Sequence, residues 1–301
     1  MTQTLRTAFL GVFLLLFTGC NKDKFAAPTP VFMEIPSINL ETNYAEESTA
    51  HHKISTLWLF VNGQPEGVFE LPAVVPLLPN EGENEIILFP GVKANGISAT
   101  RVIYDPYESI TLRPTINLNE QQMDTLRFTE QQRTTGYKES AGLAIIENFD
   151  GSGINFERLN PGDTSIIKAP EGDPKFNFND EPNGSPGLIA VNENKTSNRS
   201  ATVLTYGFPP RVTNVYLEIT YKSEINFEVG IIALQNDLEF QAPVAVVFPK
   251  EEWNKIYISF IDDVNSFRGV QNFKFYLAAN LPEGQTEGKV WVDNIKLLWT
   301  Q

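Results

Sequence analysis

Sulfur is nearly absent from this 301-residue chain, which has one cysteine, Cys20, and three methionines. A single thiol excludes an intrachain disulfide, a thiolate zinc cluster and a redox pair, so stability has to come from packed cores. Histidine is limited to the adjacent pair His51 and His52, which on a strand point to opposite faces and do not converge on one metal or substrate. No HExxH, GxSxG, phosphate-cradling or dinucleotide-binding glycine pattern occurs. Acidic residues are plentiful but fall mostly in loops and on polar strand faces, where charge is solvated, so the chain reads as non-enzymatic. Basic residues are outnumbered, 23 Lys and Arg against 37 Asp and Glu, for a formal net charge of −14. Without clustered Lys and Arg, nucleic acid is excluded as a partner. Long hydrophobic runs are missing too, since the apolar stretch from Ala8 to Phe17 is too short to span a bilayer as a helix.

What that stretch leads to is the cysteine. A short n-region with Arg6 and the apolar core run into Leu14-Leu15-Leu16-Phe17-Thr18-Gly19-Cys20, the layout of a cleaved secretory signal. The segment resembles the lipobox of bacterial lipoproteins, with Phe17 where leucine is usual. The resemblance implies removal of residues 1–19 and a diacylglycerol and acyl (palmitate) lipid on Cys20; an ordinary secretory signal with an incidental cysteine is the alternative. Cleavage removes Arg6 and no acid, and an acidic surface is repelled by anionic headgroups, so attachment to the membrane is left to the lipid. Residues 20–30 then form a tether, polar and later proline-punctuated (NKDKFAAPTP after the cysteine). Its Asn21-Lys22-Asp23-Lys24 is similar to the export signals that send Bacteroidota lipoproteins to the outer face of the outer membrane, which implies a cell-surface location.

Beyond the tether the pattern is all-β, organised as two β-sandwich domains over residues 31–137 and 140–301. In the first, Ile54 to Val61 is β-rich and Asn62-Gly63 is a type I′ hairpin signal. Further strands are expected over 68–71, 85–89, 98–104, 110–112 and 125–128, with turns spaced as in a small sandwich. The string VNGQPEGVFELPAVVPLLPNEGENEIILFPGVKANGISATR resembles the Ig-like or PEGA-like modules of bacterial envelope lipoproteins, which implies a spacer or docking domain. Residues 130–140 are polar and contain a glycine, the composition of a domain boundary.

The second domain shows cleaner alternation. Val215, Leu217, Ile219 and Tyr221 share one face, and Tyr216, Glu218, Thr220 and Lys222 the other. The same period recurs at Ile256, Ile258 and Phe260, at Phe273, Phe275 and Leu277, and at Val290 and Val292. The segments IENFDGSG, VYLEITYKSEINFEVGI, EEWNKIYISFIDD and GKVWVDNIKLL resemble, in order and spacing, carbohydrate-binding-module-like jelly rolls, the galactose-binding-like sandwiches. That resemblance implies pairing of the first and last strands, and a structural calcium held by Asp150 and Asp293 with Glu147 as a further oxygen donor. Calcium wants six to eight oxygens; the alternative is that Asp150-Gly151 and Asp293-Asn294 are turns or bulges. The parity opposite the core leaves Tyr216, Tyr257, Tyr276 and Trp291, with Glu218 among them, as a ligand-binding platform of the kind a sugar needs. The same residues would otherwise be cross-strand pairs on a solvated sheet. The expectation is therefore a non-enzymatic outer-membrane lipoprotein that binds a glycan through its C-terminal jelly roll. The alternative is an accessory lipoprotein of an outer-membrane assembly, secretion or uptake complex.

Overall fold

The computed structural model describes residues 30–118, 125–179, 181, 184–236 and 238–301. Cys20 and the signal segment lie outside these. The chain is all-β. Its N-terminal part contains β1 (Val31–Ile35), β2 (Asn39–Leu40), β3 (Thr56–Val61), β4 (Gln64–Glu70), β5 (Ala73–Leu77) and β6 (Gly82–Glu83). It continues through β7 (Ile86–Lys93), β8 (Arg101–Ile103), β9 (Ile110–Leu112), β10 (Thr115–Ile116), β11 (Thr125–Arg127) and β12 (Thr134–Thr135). The C-terminal part begins with β13 (Gly142–Glu147), β14 (Phe156–Arg158), β15 (Ile167–Lys168), β16 (Gly187–Asn192), β17 (Ser197–Thr202) and β18 (Asn214–Ser223). It ends with β19 (Phe227–Gln235), β20 (Leu238–Val247), β21 (Lys250–Ser259), β22 (Asn272–Asn280) and β23 (Glu287–Thr300). Two short helices, α1 (Tyr44–Glu47) and α2 (Ile261–Ser266), interrupt the strands.

In the N-terminal sandwich the sheet β11-β1-β5 packs on the sheet β4-β3-β7-β8, with β9 also paired to β7. Alternation sends Met33 and Ile35, Leu57 and Leu59, and Ile86 and Leu88 into one buried core. Asn62 (φ 50°) and Gly63 (φ 77°) adopt the left-handed conformation that the type I′ turn between β3 and β4 requires. β8 is shorter than the expected 98–104 because residues 94–100 form a turn, closed by Thr100 Oγ1 donating to the Ala94 carbonyl at 2.6 Å.

The C-terminal part is a jelly-roll sandwich. One sheet runs β15-β16-β23-β18-β21, with β13 also on β23, and the other runs β14-β17-β22-β19-β20. First and last strands do pair, antiparallel, from Gly142 opposite Trp299 to Glu147 opposite Ile295. The in-facing residues read from periodicity, among them Val215, Leu217, Ile219, Ile258, Phe275 and Val292, all lie in the core between these sheets.

The outer face of the β18-containing sheet is not solvated. Tyr104, Tyr107 and Tyr137 from the N-terminal part close over Tyr216, Tyr257 and Leu298 in a separate buried cluster. At its centre Glu218 and Lys255 form an ion pair at 2.9 Å, both side chains fully buried. Tyr104 Oη donates to Glu218 Oε1 at 2.8 Å and Tyr137 Oη to Glu218 Oε2 at 3.0 Å. Burial by itself would raise the Glu218 pKa, but Lys255, Lys296 and the tyrosine hydroxyls outweigh it and hold the carboxyl below its usual value. Backbone joins the two parts as well: Ala94 bridges Tyr257 in parallel, and Asn95 N donates to the Tyr257 carbonyl at 2.8 Å. The polar segment around residue 133 is docked rather than loose, with Arg133 Nε donating to the Phe128 carbonyl at 3.1 Å and Nη1 to Ser37 Oγ at 2.9 Å.

Removing one member of such a buried pair strands the other's charge, at a cost of roughly 3–5 kcal/mol. Glu218→Gln is therefore expected to lower the unfolding free energy by about that amount in urea titration, with the double variant Glu218→Gln/Lys255→Met recovering part of it; a loss below about 1 kcal/mol would show the pair to be solvated.

Candidate functional site

The residues expected to form a ligand platform do not share an open surface. Tyr216 and Tyr257 take the outward parity foreseen for them, yet they are 5% and 2% exposed because the N-terminal sandwich sits on them. Glu218, of the same parity, is spent on Lys255 and two tyrosines. Trp291 lies on the same sheet but is covered by a loop, its Nε1 donating to Asp173 Oδ2 at 2.9 Å and its ring packed with Ala169, Leu188 and Trp253. Tyr276 belongs to the other sheet. Its ring lies flat over Gly230, where an added Cβ would fall 2.3 Å from ring carbons, its hydroxyl donates to Glu228 Oε1 at 2.7 Å, and the Arg199 guanidinium stands 5.3 Å from the ring centroid.

The three carboxylates expected at a calcium are arranged around hydrogen bonds. Glu147 accepts from Phe149 N through one oxygen and from Asn155 N through the other, both at 2.6 Å. Asp150 Oδ2 accepts from Tyr44 Oη at 2.7 Å and from Asn148 Nδ2 at 2.9 Å. The Lys168 ammonium donates to the carbonyls of Phe149 and Gly151. Asp293 stands in a bulge of β23, its Oδ1 accepting from Asn294 N at 2.7 Å, with Asn294 at φ 48°. Among the described residues no group of three or more His, Cys, Asp or Glu is placed to hold a metal ion.

The histidines also lie apart in function. His51 is wedged against Phe176 and Phe178, with Nδ1 3.1 Å from Thr220 Oγ1, and burial lowers its pKa to about 3. His52 has Nδ1 3.0 Å from the Ala50 carbonyl and Nε2 3.0 Å from that of Ile38. Both belong to a strap, residues 43–55, that crosses the covered sheet: Ser48 Oγ donates to Asn294 Oδ1, Thr49 Oγ1 to Glu181, and Lys53 N to Tyr257 Oη at 2.8 Å.

Where strap, turn and hairpin meet, the two sandwiches leave a cleft of about 530 Å³. One wall is the turn after β7, where Asn95 (φ 55°) and Gly96 (φ 70°) are left-handed and a Cβ on Gly96 would crowd Ile256 Cδ1 at 3.2 Å. The facing wall is the β20–β21 hairpin, including Val246, Phe248 and Lys250, and Lys53 and Ser55 of the strap close one side. Asn254 of β21 and Ser98 add hydrogen-bonding groups. Val246 and Phe248 are 53% and 68% exposed. Neither Asp, Glu nor His is among the described lining residues. No sequence signal marks this cleft, because its walls come from segments some 150 positions apart.

No protein-family model matches the chain, and no curated protein matches it. Among solved structures it is similar to family 29 carbohydrate-binding modules. One, a variant complexed with cellulohexaose, is 12% identical over 54% of this chain and 93% of the other, with a TM-score of 0.34. A second, a variant complexed with mannohexaose, is 14% identical over 52% and 92%, with a TM-score of 0.31. A third, from Piromyces equi, is 11% identical over 54% and 92%, with a TM-score of 0.32.

The buried Asp293 gives a test of this geometry. Burial, aided by Asp150 and Glu147, pushes its carboxyl from the ordinary 3.8 up to about 8. Between those values the native state holds a proton that the unfolded chain has released, so the group's stabilising contribution is present below about pH 4 and is lost as the pH rises to 8. Asp293→Asn should remove that slope: its Tm should gain on the wild type steadily from pH 5 to pH 8, whereas parallel curves would place Asp293 in water.

Proposed function

We propose that the protein is a non-enzymatic lipoprotein of the bacterial outer membrane, anchored through lipid on Cys20 and facing the cell exterior, which binds a glycan in the cleft between its two sandwiches. The observation that carries the reading is the composition of that cleft. Its volume is in the range of small-ligand sites. Amide and hydroxyl side chains, Asn95, Ser98 and Asn254, stand beside the exposed apolar surface of Val246 and Phe248. A saccharide asks for both, donors and acceptors for its hydroxyls and an apolar wall for its C–H face. Because backbone and ion pair lock the sandwiches together, the walls are set before a ligand arrives, and less ordering is lost on binding. With no carboxylate along the walls among the described residues, there is no acid and base pair there for glycoside hydrolysis.

A second reading, an accessory subunit of an outer-membrane protein complex, is favoured by one feature. β20 is the edge strand of its sheet and carries exposed Leu238 and Phe240, which soluble edges rarely leave uncovered. The two readings part in a single experiment on membranes from cells making the full chain, Cys20→Ser or Phe248→Ala, followed by capture on an immobilised panel of oligosaccharides. The glycan reading expects Cys20→Ser to leave the membrane fraction yet still be captured, and Phe248→Ala to stay in the membrane with capture weakened about tenfold. Capture by no oligosaccharide, with stable co-purification of an outer-membrane protein, would favour the complex subunit instead.

A further inference from the structure

We infer that the cleft between the sandwiches selects acidic saccharides, taking the anionic group of a uronate or sulfated sugar among Lys53, Lys250 and Ser55; the inference rests on the glycan reading above. In a chain of net charge −14, four lysines, Lys53, Lys93, Lys250 and Lys255, line this one cleft with no carboxylate among its described lining residues. Two of the four are answered from behind: Lys93 by Glu70 at 3.4 Å, a carboxylate it shares with Arg101, and Lys255 by Glu218 at 2.9 Å. Lys53 and Lys250 have no carboxylate within ion-pair reach among the described residues, and Lys53 Nζ donates only to the neutral Asn254 Oδ1.

Two further observations point the same way. Lys53 has its pKa lowered first by burial and then by the charges of Lys250 and Lys93, so like charges crowd the site and an anion would relieve them. Ser55 Oγ is shielded from water and has no hydrogen-bond partner, an unmet donor on the cleft wall. Lys255 turns its ammonium away from the cleft onto Glu218, where both side chains are sealed, and takes no part in holding an anion. A neutral sugar leaves these groups as they are, whereas a carboxylate or sulfate oxygen satisfies several at once through charge-assisted bonds. Phe248 and Val246 complete the site by giving the rest of the sugar ring an apolar wall. The acidic remainder of the surface does not cancel the attraction, because at physiological salt charges beyond about 8 Å are screened while those in the cleft act at contact range.

The test is calorimetric titration of the detergent-solubilised full chain with hexagalacturonate, a chondroitin sulfate hexasaccharide, cellohexaose and inorganic phosphate. An acidic hexasaccharide should bind at least about tenfold tighter than cellohexaose, and Lys53→Gln/Lys250→Gln should abolish that preference. Lys195→Gln, exposed and outside the cleft, should keep it. Both lysines of the double variant are exposed, so its Tm should match the wild type and separate a lost site from a lost fold. Equal affinity for neutral and acidic hexasaccharides would overturn the charge selection and leave the glycan reading standing. Phosphate binding as tightly as either acidic sugar would overturn the saccharide's part in the site. Binding of none of the saccharides would defeat this inference and the glycan reading together.

Discussion

Everything else in the molecule is arranged around one buried ion pair, Glu218 with Lys255, sealed between two sandwiches. On an isolated jelly roll these side chains would project from a sheet face into water, where such a pair contributes under about 1 kcal/mol. Covered, they are costly to desolvate, and the cost is offset only because the surroundings complete their bonding: Tyr104 and Tyr137 donate to the carboxylate, and the nearby Lys296 ammonium donates to the Thr49 carbonyl at 2.6 Å while facing the Tyr137 ring. The tyrosines supply apolar area around the pair and polar tips at its centre, which is the use their amphipathic rings suit. The sheet face and its cover are thus complementary in charge as well as in shape, and neither is satisfied alone.

That union sets where the ligand can go. The sheet face that a solitary jelly roll would offer is consumed by the N-terminal sandwich, and the open cleft lies at the seam, where the turn after β7 meets the β20–β21 hairpin. Asn95 holds that seam at fixed width by its backbone bond to Tyr257 and by accepting from Ser259 N through its side chain at 2.9 Å. Of the lysines in the seam, Lys93 is answered by Glu70, which it shares with Arg101, and Lys255 by Glu218 behind the interface. On the proposed glycan reading such rigidity favours binding, because the entropy of ordering the cleft is spent on folding and not on binding.

Much of the fold could be read from residue order, and much of the site could not. Period-two alternation placed Val215, Leu217, Ile219 and Tyr221 correctly in the core, Asn62-Gly63 marked its hairpin, and Ile110 to Leu112 is a strand with the bounds expected. Alternation reports only that two faces differ; it carries no information on what covers the second. Tyr216 and Tyr257 take the face their parity predicts but not a solvated one, because their cover comes from Tyr104, Tyr107 and Tyr137, with Tyr107 150 positions from Tyr257. Tyr276 was placed beside them since β22 has the same pattern as β18, although it belongs to the opposite sheet. The carboxylates Glu147, Asp150 and Asp293 lie near the paired first and last strands, where Glu147 and Asp150 are engaged by backbone and side-chain donors that their spacing in the sequence does not announce. Cys20 lies outside the described residues, and its lipidation stands on the sequence alone.

The central claim is that the two sandwiches act as one rigid body with the tyrosine face sealed inside. Native-state hydrogen exchange of the amides that bridge them, Lys53, Asn95 and Ser259, measures this most directly. The account predicts that they exchange as slowly as the amides of β18 within the jelly-roll core, opening only with global unfolding. Exchange as fast as that of the exposed turn amides, while the β18 amides stay protected, would show that the sandwiches separate in solution and would contradict it.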